Sequence, residues 1–349
     1  MESAIPEHLR TARTRHRRVP DDYAPPYPSF VARHKPRVER VVMAYFGVQT
    51  RDAASKAAEQ ALAWIASRFQ SNGGPTHWDR ARYIDEVGFT NIVTVAYWDD
   101  RAKFENWFPA ARDGWTGDKR AVAGVGTFIE ALYPSVEGYE TLFSSLGRPE
   151  GIAVLADGMS GEVQEHAYWG GMRDRIPLSQ TNEMAPAGAA RAVRDGSRIR
   201  VVPHDNLCLI RSGQDWGDTE ASDRKMYLGD VEPVLREGMD FLRDEGRSIG
   251  CYANRYMTVV APDGERIEKS YGMSWWKSLA ALERWAESHP THVRIFGAAM
   301  KYLSTLGPAA KLRLYHEVTV ARANEAFFEY FDCHPQTGML NAVQTADPA

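Results

Sequence analysis

The chain of 349 residues is 44% hydrophobic and 25% charged, which supplies a core for one large domain or two ordinary ones. A formal net charge of −4 gives no reason to expect nucleic acid or an anionic membrane as a partner. The longest apolar runs, residues 41–48 and 91–98, fall far short of the roughly 20 residues of a membrane span, and no signal-peptide core is present. Three scattered cysteines without a CxxC pair are typical of a reducing compartment, so we expect a cytoplasmic protein.

The N-terminal segment, residues 1–36, is rich in arginine and proline and is predicted to be an irregular arm over the main body. Its acidic residues argue against a transit peptide. Beyond the arm we expect two halves, residues 37–150 and 151–349, within one compact domain.

The apolar periodicity predicts alternating strands and helices. In chain order, the predicted strands are residues 41–46, 91–98, 207–211 and 312–320. The predicted helices are residues 58–69, ended by Gly73 and Gly74, residues 231–242, with Asp230 as N-cap and Gly246 just past the end, and residues 293–306.

The most informative pattern is an internal repeat of a tryptophan pair, which we call the tryptophan echo. Trp98 and Trp107 are nine positions apart, as are Trp276 and Trp285, and an apolar residue and a glutamate hold matching offsets between them. In both copies the first tryptophan ends a predicted strand. Two strand–helix–strand–helix halves therefore predict an α+β protein with pseudo-twofold symmetry and sheets packed face to face. The alternative is a coincidence among ten tryptophans.

His292 lies at the start of the apolar stretch 293–306. Ser288 is predicted as its N-cap and Pro290 suits the first turn, so His292 would project from a fixed backbone. A rigid neutral imidazole of this kind suits an axial ligand of iron. The spacing to His289 also permits a two-histidine metal site, although no nearby cysteine or carboxylate completes one. A surface or capping histidine remains the alternative.

His316 lies in the predicted strand 312–320, where alternation places it on the apolar face. It is either a hydrogen-bonded core histidine or a functional group. Ser212 shares a strand face with Cys208 and Ile210, and its hydroxyl either orients a polar ligand or bonds to the backbone. No GxSxG motif surrounds Ser212, so a hydrolase has little support.

Arg175 belongs to a predicted loop, residues 168–175, in which two arginines flank Asp174. Arg175 either forms a surface ion pair of little weight or reaches into a pocket to hold a polar group or a haem propionate. The role of the Glu140 carboxylate is equally undecided from the sequence. Gly124 and Gly126 lack the third glycine of a dinucleotide-binding motif, and the sequence contains no P-loop.

Several of these segments resemble the bacterial aldoxime dehydratases, from the first residues to Leu340. The most specific of them are Tyr168-Trp-Gly-Gly-Met-Arg-Asp-Arg175, His204-Asp-Asn206, Ile210-Arg-Ser-Gly-Gln-Asp-Trp216, Arg284-Trp-Ala-Glu-Ser-His-Pro-Thr-His292 and Leu312-Arg-Leu-Tyr-His-Glu-Val318.

The resemblance implies a lyase that converts aldoximes, R–CH=N–OH, to nitriles and water at a noncovalently bound haem b. His292 would be the proximal ligand of an iron that is ferrous in the active state and binds the oxime nitrogen. On the distal side, His316 would protonate the oxime oxygen, Ser212 would orient that oxygen, and Arg175 would stabilise developing charge or orient the distal network. The family fold is an α+β barrel of the dimeric type with ferredoxin-like halves, and its members usually form homodimers.

Two other functions stay open at this stage. The first is a haem peroxidase of the same broad architecture, which would require a distal arginine or carboxylate for peroxide cleavage. The second is a non-enzymatic haem carrier or sensor. The sequence also leaves open whether aryl, arylalkyl or aliphatic aldoximes are preferred.

Overall fold

A computed structural model of the chain describes residues 1–52, 54–121, 123–167 and 170–344. Its strands are β1 (Ala32–Arg33), β2 (Val42–Thr50), β3 (His77–Ile84), β4 (Thr90–Trp98), β5 (Gly126–Leu132), β6 (Tyr139–Phe143), β7 (Gly158–Met159), β8 (Arg191–Asp195), β9 (Arg198–Val202), β10 (Leu207–Asp215), β11 (Cys251–Val260), β12 (Arg266–Trp276), β13 (Arg313–Ala321) and β14 (Ala326–Phe331). Its α-helices are α1 (Lys56–Phe69), α2 (Arg101–Trp115), α3 (Gly171–Arg175), α4 (Ala221–Met226), α5 (Glu232–Asp244), α6 (Leu279–Ser288) and α7 (Pro290–Leu306).

Twelve of these strands form one antiparallel sheet, while β1 pairs with β7. The strand order in the sheet is β6-β13-β10-β12-β11-β3-β4-β2-β5-β14-β9-β8. Within it, two units have the same connectivity: β2-α1-β3-β4-α2-β5 and β10-α5-β11-β12-α6-β13. Their strands lie in the equivalent spatial orders β3-β4-β2-β5 and β11-β12-β10-β13. This is the ferredoxin-like arrangement, so the predicted α+β barrel with two pseudo-symmetric halves is confirmed.

The two ferredoxin-like units meet where β3 pairs with β11, at residues such as Ala81 and Val259. A core of buried side chains fills the interior between them and draws on both units, for example Tyr45, Val95 and Leu209. Apolar burial of this extent is the main stabilising contribution of the fold. In each unit, a further apolar layer lies between the strands and the helices of that unit.

The sheet also contains strands outside the two units, and some of them pair with the unit that is distant in sequence. Strand β6 pairs with β13 of the second unit, whereas β14, from the end of the chain, pairs with β5 of the first and carries β9 and β8 with it. Each unit therefore depends on chain from the other side of residue 150, and a division of the domain at 150/151 stays a prediction.

The tryptophan echo corresponds to equivalent positions in the two units. Trp98 and Trp276 are the last residues of β4 and β12, and Trp107 and Trp285 lie in α2 and α6. The ring centroids are 5.1 Å apart in the first pair and 5.7 Å apart in the second. The echo is therefore a structural repeat in which a strand-end tryptophan packs on the following helix.

Two predicted N-caps are wrong. Asp230 lies inside a π-helical turn, Tyr227–Val231, which joins α4 to α5, so the chain is already helical there. Ser288 is the last residue of α6, and its hydroxyl donates to the carbonyl of Arg284 at 2.8 Å. The extended backbone of His289 precedes Pro290, as proline requires, and His289 itself caps α7.

The N-terminal arm lies against the main body, as predicted. The backbone N–H groups of Arg18 and Val19 donate to the carboxylate of Asp174 at 2.8 and 2.7 Å, and that of Ala4 donates to Glu165 at 2.8 Å. No helix among the described residues is long and apolar enough to cross a membrane.

Candidate active site

Strands β10 and β13 carry the first two candidate residues side by side. Ser212 and His316 are directly opposite each other in the antiparallel register. On the same face, Cys208 and Val318 belong to the buried apolar layer beneath the helices. The residues between them point into the barrel, where Tyr315 lies near Arg211. The alternation predicted for both strands is therefore confirmed.

The helix-side face opens at the level of Ser212 and His316. Cys208 and Val318 are fully buried, whereas Ser212 is half-buried and 22% of the His316 side chain is exposed. Space is therefore left over these two polar groups, while the face is closed at Cys208 and Val318.

His316 is held from behind by a buried ion pair. Its Nε2 lies 2.9 Å from Nη2 of Arg175 and 2.9 Å from Oε1 of Glu140. Arg175 donates from Nε to Oε2 of Glu140 at 2.7 Å and from Nη2 to Oε1 at 3.2 Å. The side chains of Arg175 and Glu140 are 2% and 1% exposed, so little solvent screens this triad.

The electrostatics of the triad favour an ionised Glu140. Burial alone raises the pKa of this carboxyl, but the charges and hydrogen bonds of Arg175 and His316 outweigh it and hold the pKa below its ordinary value. Nε2 of His316 thus has a donor, Arg175, and an acceptor, Glu140, at the same distance. A neutral imidazole can accept from the first, and an imidazolium can donate to the second. No described residue forms a hydrogen bond with Nδ1 of His316.

Two neighbouring residues were missed by the sequence interpretation. The carbonyl of Glu165 accepts from Nη1 of Arg175 at 2.6 Å and so completes the fixation of the guanidinium. His166 places Nδ1 3.0 Å from the carbonyl of Tyr27, and burial lowers its pKa, with a further lowering by the nearby Arg175. Both residues precede the arginine-rich motif, and no periodicity marks them.

The motif around Arg175 is helical at its end, and not the loop predicted for it. Gly171–Arg175 form α3, while residues 168 and 169 lie outside the described residues. The two arginines have different partners, since Arg173 binds Glu283 at 2.6 Å and Arg175 binds Glu140. The reading of Arg175 as a surface ion pair is therefore wrong, because both partners are buried.

His292 projects from the first turn of α7, on the helix layer that covers β10 and β13. Its Nδ1 lies 2.9 Å from the carbonyl of Ala286, and this acceptor fixes the proton on Nδ1 and the lone pair on Nε2. Its ring meets that of Trp285 edge-on at 4.5 Å. Burial lowers the pKa of His292 to about 4. His292 is thus a neutral, oriented imidazole, which is the form that binds a metal.

The surroundings of His292 fit a flat apolar cofactor. Of the 17 described residues of α7, Tyr302 alone is buried, although the helix is largely apolar. Val293 and Phe296 are 45% and 36% exposed. Phe296 follows His292 by four positions, so the two share one helix face. An oriented imidazole beside apolar side chains that are partly exposed fits haem b.

His289, in contrast, does not join His292 in a metal site. Its ring stacks on Phe241 at 4.3 Å, and its Nδ1 lies 2.9 Å from the hydroxyl of Thr291. The described residues contain no group of three or more histidine, cysteine or acidic side chains that could hold a metal ion.

Comparisons with known proteins identify the family of the chain. A family model described as haem-containing dehydratase matches residues 44–339. An aliphatic aldoxime dehydratase of Pseudomonas chlororaphis is 46% identical over 353 aligned residues, which cover 99% of both chains. A phenylacetaldoxime dehydratase of Bacillus sp. (strain OxB-1) is 32% identical over 92% of this chain and 93% of its own.

Solved structures give the same result. A crystal structure of an aldoxime dehydratase matches with a TM-score of 0.94 at 45% identity, over 99% of this chain and 100% of the other. An aldoxime dehydratase in complex with butyraldoxime matches with a TM-score of 0.93 at 45% identity, over 99% and 98% of the two chains. The chain therefore belongs to the haem-containing dehydratase family.

Proposed function

We propose that this protein is a lyase that dehydrates aldoximes to nitriles with haem b as its cofactor. The observation that carries the proposal is the position of His316. This histidine lies opposite Ser212 on the open sheet face, and the buried pair of Arg175 and Glu140 holds it from behind. The relatives that are named aldoxime dehydratases support the same activity.

The reaction R–CH=N–OH → R–C≡N + H₂O needs a proton at the oxime oxygen, because hydroxide is a poor leaving group. His316 is the proton donor in this proposal, since a histidine can hold or release a proton near neutral pH. Nε2 faces Arg175 and Glu140, so Nδ1 is the atom that would deliver the proton. The same atom, once neutral, would take up the carbon-bound proton, and the residue returns to its starting state.

Ser212 and the ion pair would position these steps. The Ser212 hydroxyl lies across the strand pair from His316 and would hydrogen-bond the oxime oxygen, which fixes its direction. Glu140 would stabilise the imidazolium of His316, and Arg175 would donate to the neutral ring. In this scheme Arg175 acts through His316 and through its charge beside Glu140. It does not need to bond to the oxime.

His292 would hold the haem iron through Nε2. When bound, ferrous haem supplies an open coordination position for the oxime nitrogen and electron density for the N–O bond. We place the enzyme in the cytoplasm and propose that it forms a homodimer. Light scattering on the haem-loaded protein tests the homodimer. Both assignments rest on the resemblance and on the cysteine pattern of the sequence.

A peroxidase is the alternative, and the buried Arg175 and Glu140 give it some support, because peroxide cleavage uses such groups. Two observations favour dehydration. The partner of Nδ1 of His292 is a backbone carbonyl, and a carbonyl raises the basicity of the ligand less than a carboxylate does. In addition, Arg175 and Glu140 are bonded to each other and to His316, which leaves His316, with 22% of its side chain exposed, as the accessible member of the three.

The test is anaerobic. Haem-loaded protein reduced with dithionite is mixed with phenylacetaldoxime or butyraldoxime, and the Soret band and nitrile are followed together. We expect a Soret shift with nitrile formation that disappears on oxidation of the iron. A normal haem spectrum without nitrile from either substrate, together with peroxide-dependent dye oxidation, would replace this proposal with the peroxidase. Haem that exchanges freely and supports neither reaction would indicate a carrier.

A further inference from the structure

The twelve-stranded sheet has two edge strands, β6 and β8, and the two edges differ in what covers them. The N-terminal arm closes the β6 edge, because the N–H groups of Phe30 and Phe143 donate to each other's carbonyls at 2.9 and 2.8 Å. Strand β8 bonds to β9 on one side, and no described residue forms a backbone hydrogen bond with its other side. Such an edge presents free N–H and C=O groups to a further strand.

The hydrogen bonds around β9 show which residues of β8 face the free edge. The carbonyl of Ser197 accepts from the backbone just after β14 at 3.2 Å, so Ser197 faces away from β8. Successive residues direct their backbone groups to opposite sides, and Arg198, which pairs with Asp195 across a two-residue turn, therefore faces β8. By the same alternation, Ala192 and Arg194 direct their N–H and C=O groups to the free edge.

The side chains along β8 are exposed in an order that is complementary to itself. Arg191, Val193 and Asp195 share one face of the strand. Val193 is 47% exposed, and the side chain of Asp195 is 79% exposed. When two such strands lie antiparallel with their Val193 residues opposite each other, each Arg191 faces the Asp195 of the other strand. Opposite charges in such positions stabilise a strand pair.

The backbone favours the same register. Two antiparallel strands centred on Val193 place Ala192 opposite the partner's Arg194, and these two residues carry the N–H and C=O groups that face the edge. A register centred on Arg194 would instead place two arginines opposite each other, which is unfavourable. A register centred on Ala192 would leave Arg191 and Asp195 without opposite charges. The charges and the hydrogen bonds thus select one register.

The chain before β8 enlarges this surface. Residues 185–190 carry no charge, and residues 185–189 are exposed. In the register centred on Val193, Ala190 lies opposite the partner's Gly196, which belongs to the turn between β8 and β9. A strand of five residues is short for a stable dimer, since such interfaces bury about 1,200–2,000 Å² in total. The uncharged run supplies further surface beside the strand.

We propose that a second copy of this chain occupies the β8 edge, with the two β8 strands antiparallel about a twofold axis at Val193. Each contact of such an interface occurs twice. The proposal rests on the proposed homodimer, whose interface it names, and is independent of the dehydration of aldoximes. Within one chain, Arg198 already contacts Asp195 at 3.2 Å, and a carboxylate has lone pairs enough to accept from both arginines.

The first test exchanges the charges at the two ends of β8 and measures dimerisation by sedimentation velocity. Arg191→Asp and Asp195→Arg each place like charges opposite each other twice in the dimer, and each should raise its dissociation constant on the order of 10- to 100-fold. The variant with both substitutions restores opposite charges and should dimerise as the unmodified protein does. An equimolar mixture of the two single variants should form a heterodimer, because their strands are complementary.

The second test changes the centre of the interface. Val193→Arg places two cations at the twofold axis and should give a monomer at concentrations where the unmodified protein is a dimer. Val154→Arg, at a valine outside β8 that is 37% exposed, is the matched control and should stay dimeric. Unchanged far-UV circular dichroism in each variant shows that the chain is folded.

The outcomes separate this interface from the proposed function. Single variants that dimerise as tightly as the unmodified protein would overturn the interface and keep the homodimer. A double variant that stays monomeric would also overturn it, since the exchange restores each opposite pair. An unmodified protein that is monomeric would reject the homodimer and this interface together, and the nitrile assay would still decide the dehydration.

Discussion

The helix layers of the two ferredoxin-like units are alike at the start of α2 and α6 and differ after the second tryptophan of each. In each, a tryptophan ends the third strand and packs on a second tryptophan in the following helix, at 5.1 Å for Trp98 and Trp107. The helices begin alike, because the side chains of Asp100 and Ser278 both cap them by accepting from backbone N–H groups.

The layers differ after the second tryptophan. In the first unit, α2 continues to Trp115, which is fully buried and stacks on Trp64 at 5.9 Å. In the second unit, α6 stops at Ser288 and the chain turns into α7. Helix α2 buries five of its 15 residues, whereas α7 buries one of 17.

This difference shows how one topology can serve two purposes. The first unit uses its helix layer for packing, and aromatic side chains fill it. The second unit breaks the equivalent helix and leaves polar groups on the sheet face half-buried, which costs packing and creates a site. Departures from the packing rules are expected at functional positions, and here the repeat supplies the internal reference.

The largest effect that this comparison predicts is the loss of turnover on removal of His316. His316→Ala should retain haem with a normal spectrum, because His316 is not the proposed iron ligand, and lose on the order of 10²–10⁴ in kcat as the proposed general acid disappears. His204→Ala removes a histidine that bonds to Tyr252 away from the site, and its turnover per haem should stay normal. Near-normal turnover of His316→Ala would contradict the assignment.

The second prediction concerns the break between α6 and α7. His292→Ala should lose haem during gel filtration, since the neutral imidazole is the proposed iron ligand, and added imidazole should restore a six-coordinate or five-coordinate spectrum. His289→Ser is the matched control, because serine is also a good N-cap for α7 and the variant keeps His292. A haem-replete His292→Ala with an unchanged Soret band would exclude the ligand assignment.

Much of this architecture was accessible from the sequence. Strong periodicity located α1, β2 and β4 to within a few residues, and the tryptophan echo predicted the twofold repeat. The exchange of β6 and β14 between the units was not predictable, because such pairings join distant residues and leave no local pattern. The π-helical turn at Tyr227–Val231 was missed for a similar reason, since local propensity does not distinguish it from an α-helix.

The site was accessible in part. Strand alternation placed His316 and Ser212 each on an apolar face of its own strand, and the register shows that the two residues are neighbours. Glu140 stayed an open carboxylate because its partner Arg175 lies 35 positions away. For His292, the pattern alone left a surface or capping histidine as an alternative, and only the family resemblance selected it as the iron ligand.

The third prediction compares large-to-small changes in the two layers. Trp115→Ala should lower the free energy of unfolding of the haem-free protein by about 3–5 kcal/mol, because it leaves a cavity in a closed layer. Phe296→Ala, at a residue that is 36% exposed, should lower it by about 0.5 kcal/mol or less. Denaturant titration measures both. Equal losses would show that the second layer is as closed as the first.

The same pair of variants should show the opposite order in haem binding. Phe296 shares the helix face of His292, so its removal should speed the transfer of haem to apomyoglobin, whereas Trp115→Ala should leave the transfer rate unchanged. A faster transfer from Trp115→Ala alone would mean that the first layer also supports the cofactor.

A smaller loss of stability than that of Trp115→Ala is expected on removal of the buried charge of the second unit. Glu140→Gln should lower the free energy of unfolding at pH 7 by about 1–3 kcal/mol, because Arg175 loses an ionised partner. The folded-state pKa of Glu140 lies below its ordinary value of 4.5, so the stabilisation by its carboxylate is present above pH 4.5 and is lost as the pH falls through the folded-state pKa. The difference between Glu140→Gln and the unmodified protein should therefore shrink below pH 4.5.

The control for this titration is Glu137→Gln, three positions earlier and exposed to solvent. It should match the unmodified protein across the whole pH range, since a carboxylate in water gains little from its neighbours. A gap between Glu140→Gln and the unmodified protein that stays constant down to pH 3 would mean that the substitution acts through packing. In that case the ion pair with Arg175 would not be the source of stability, and His316 would be positioned by shape alone.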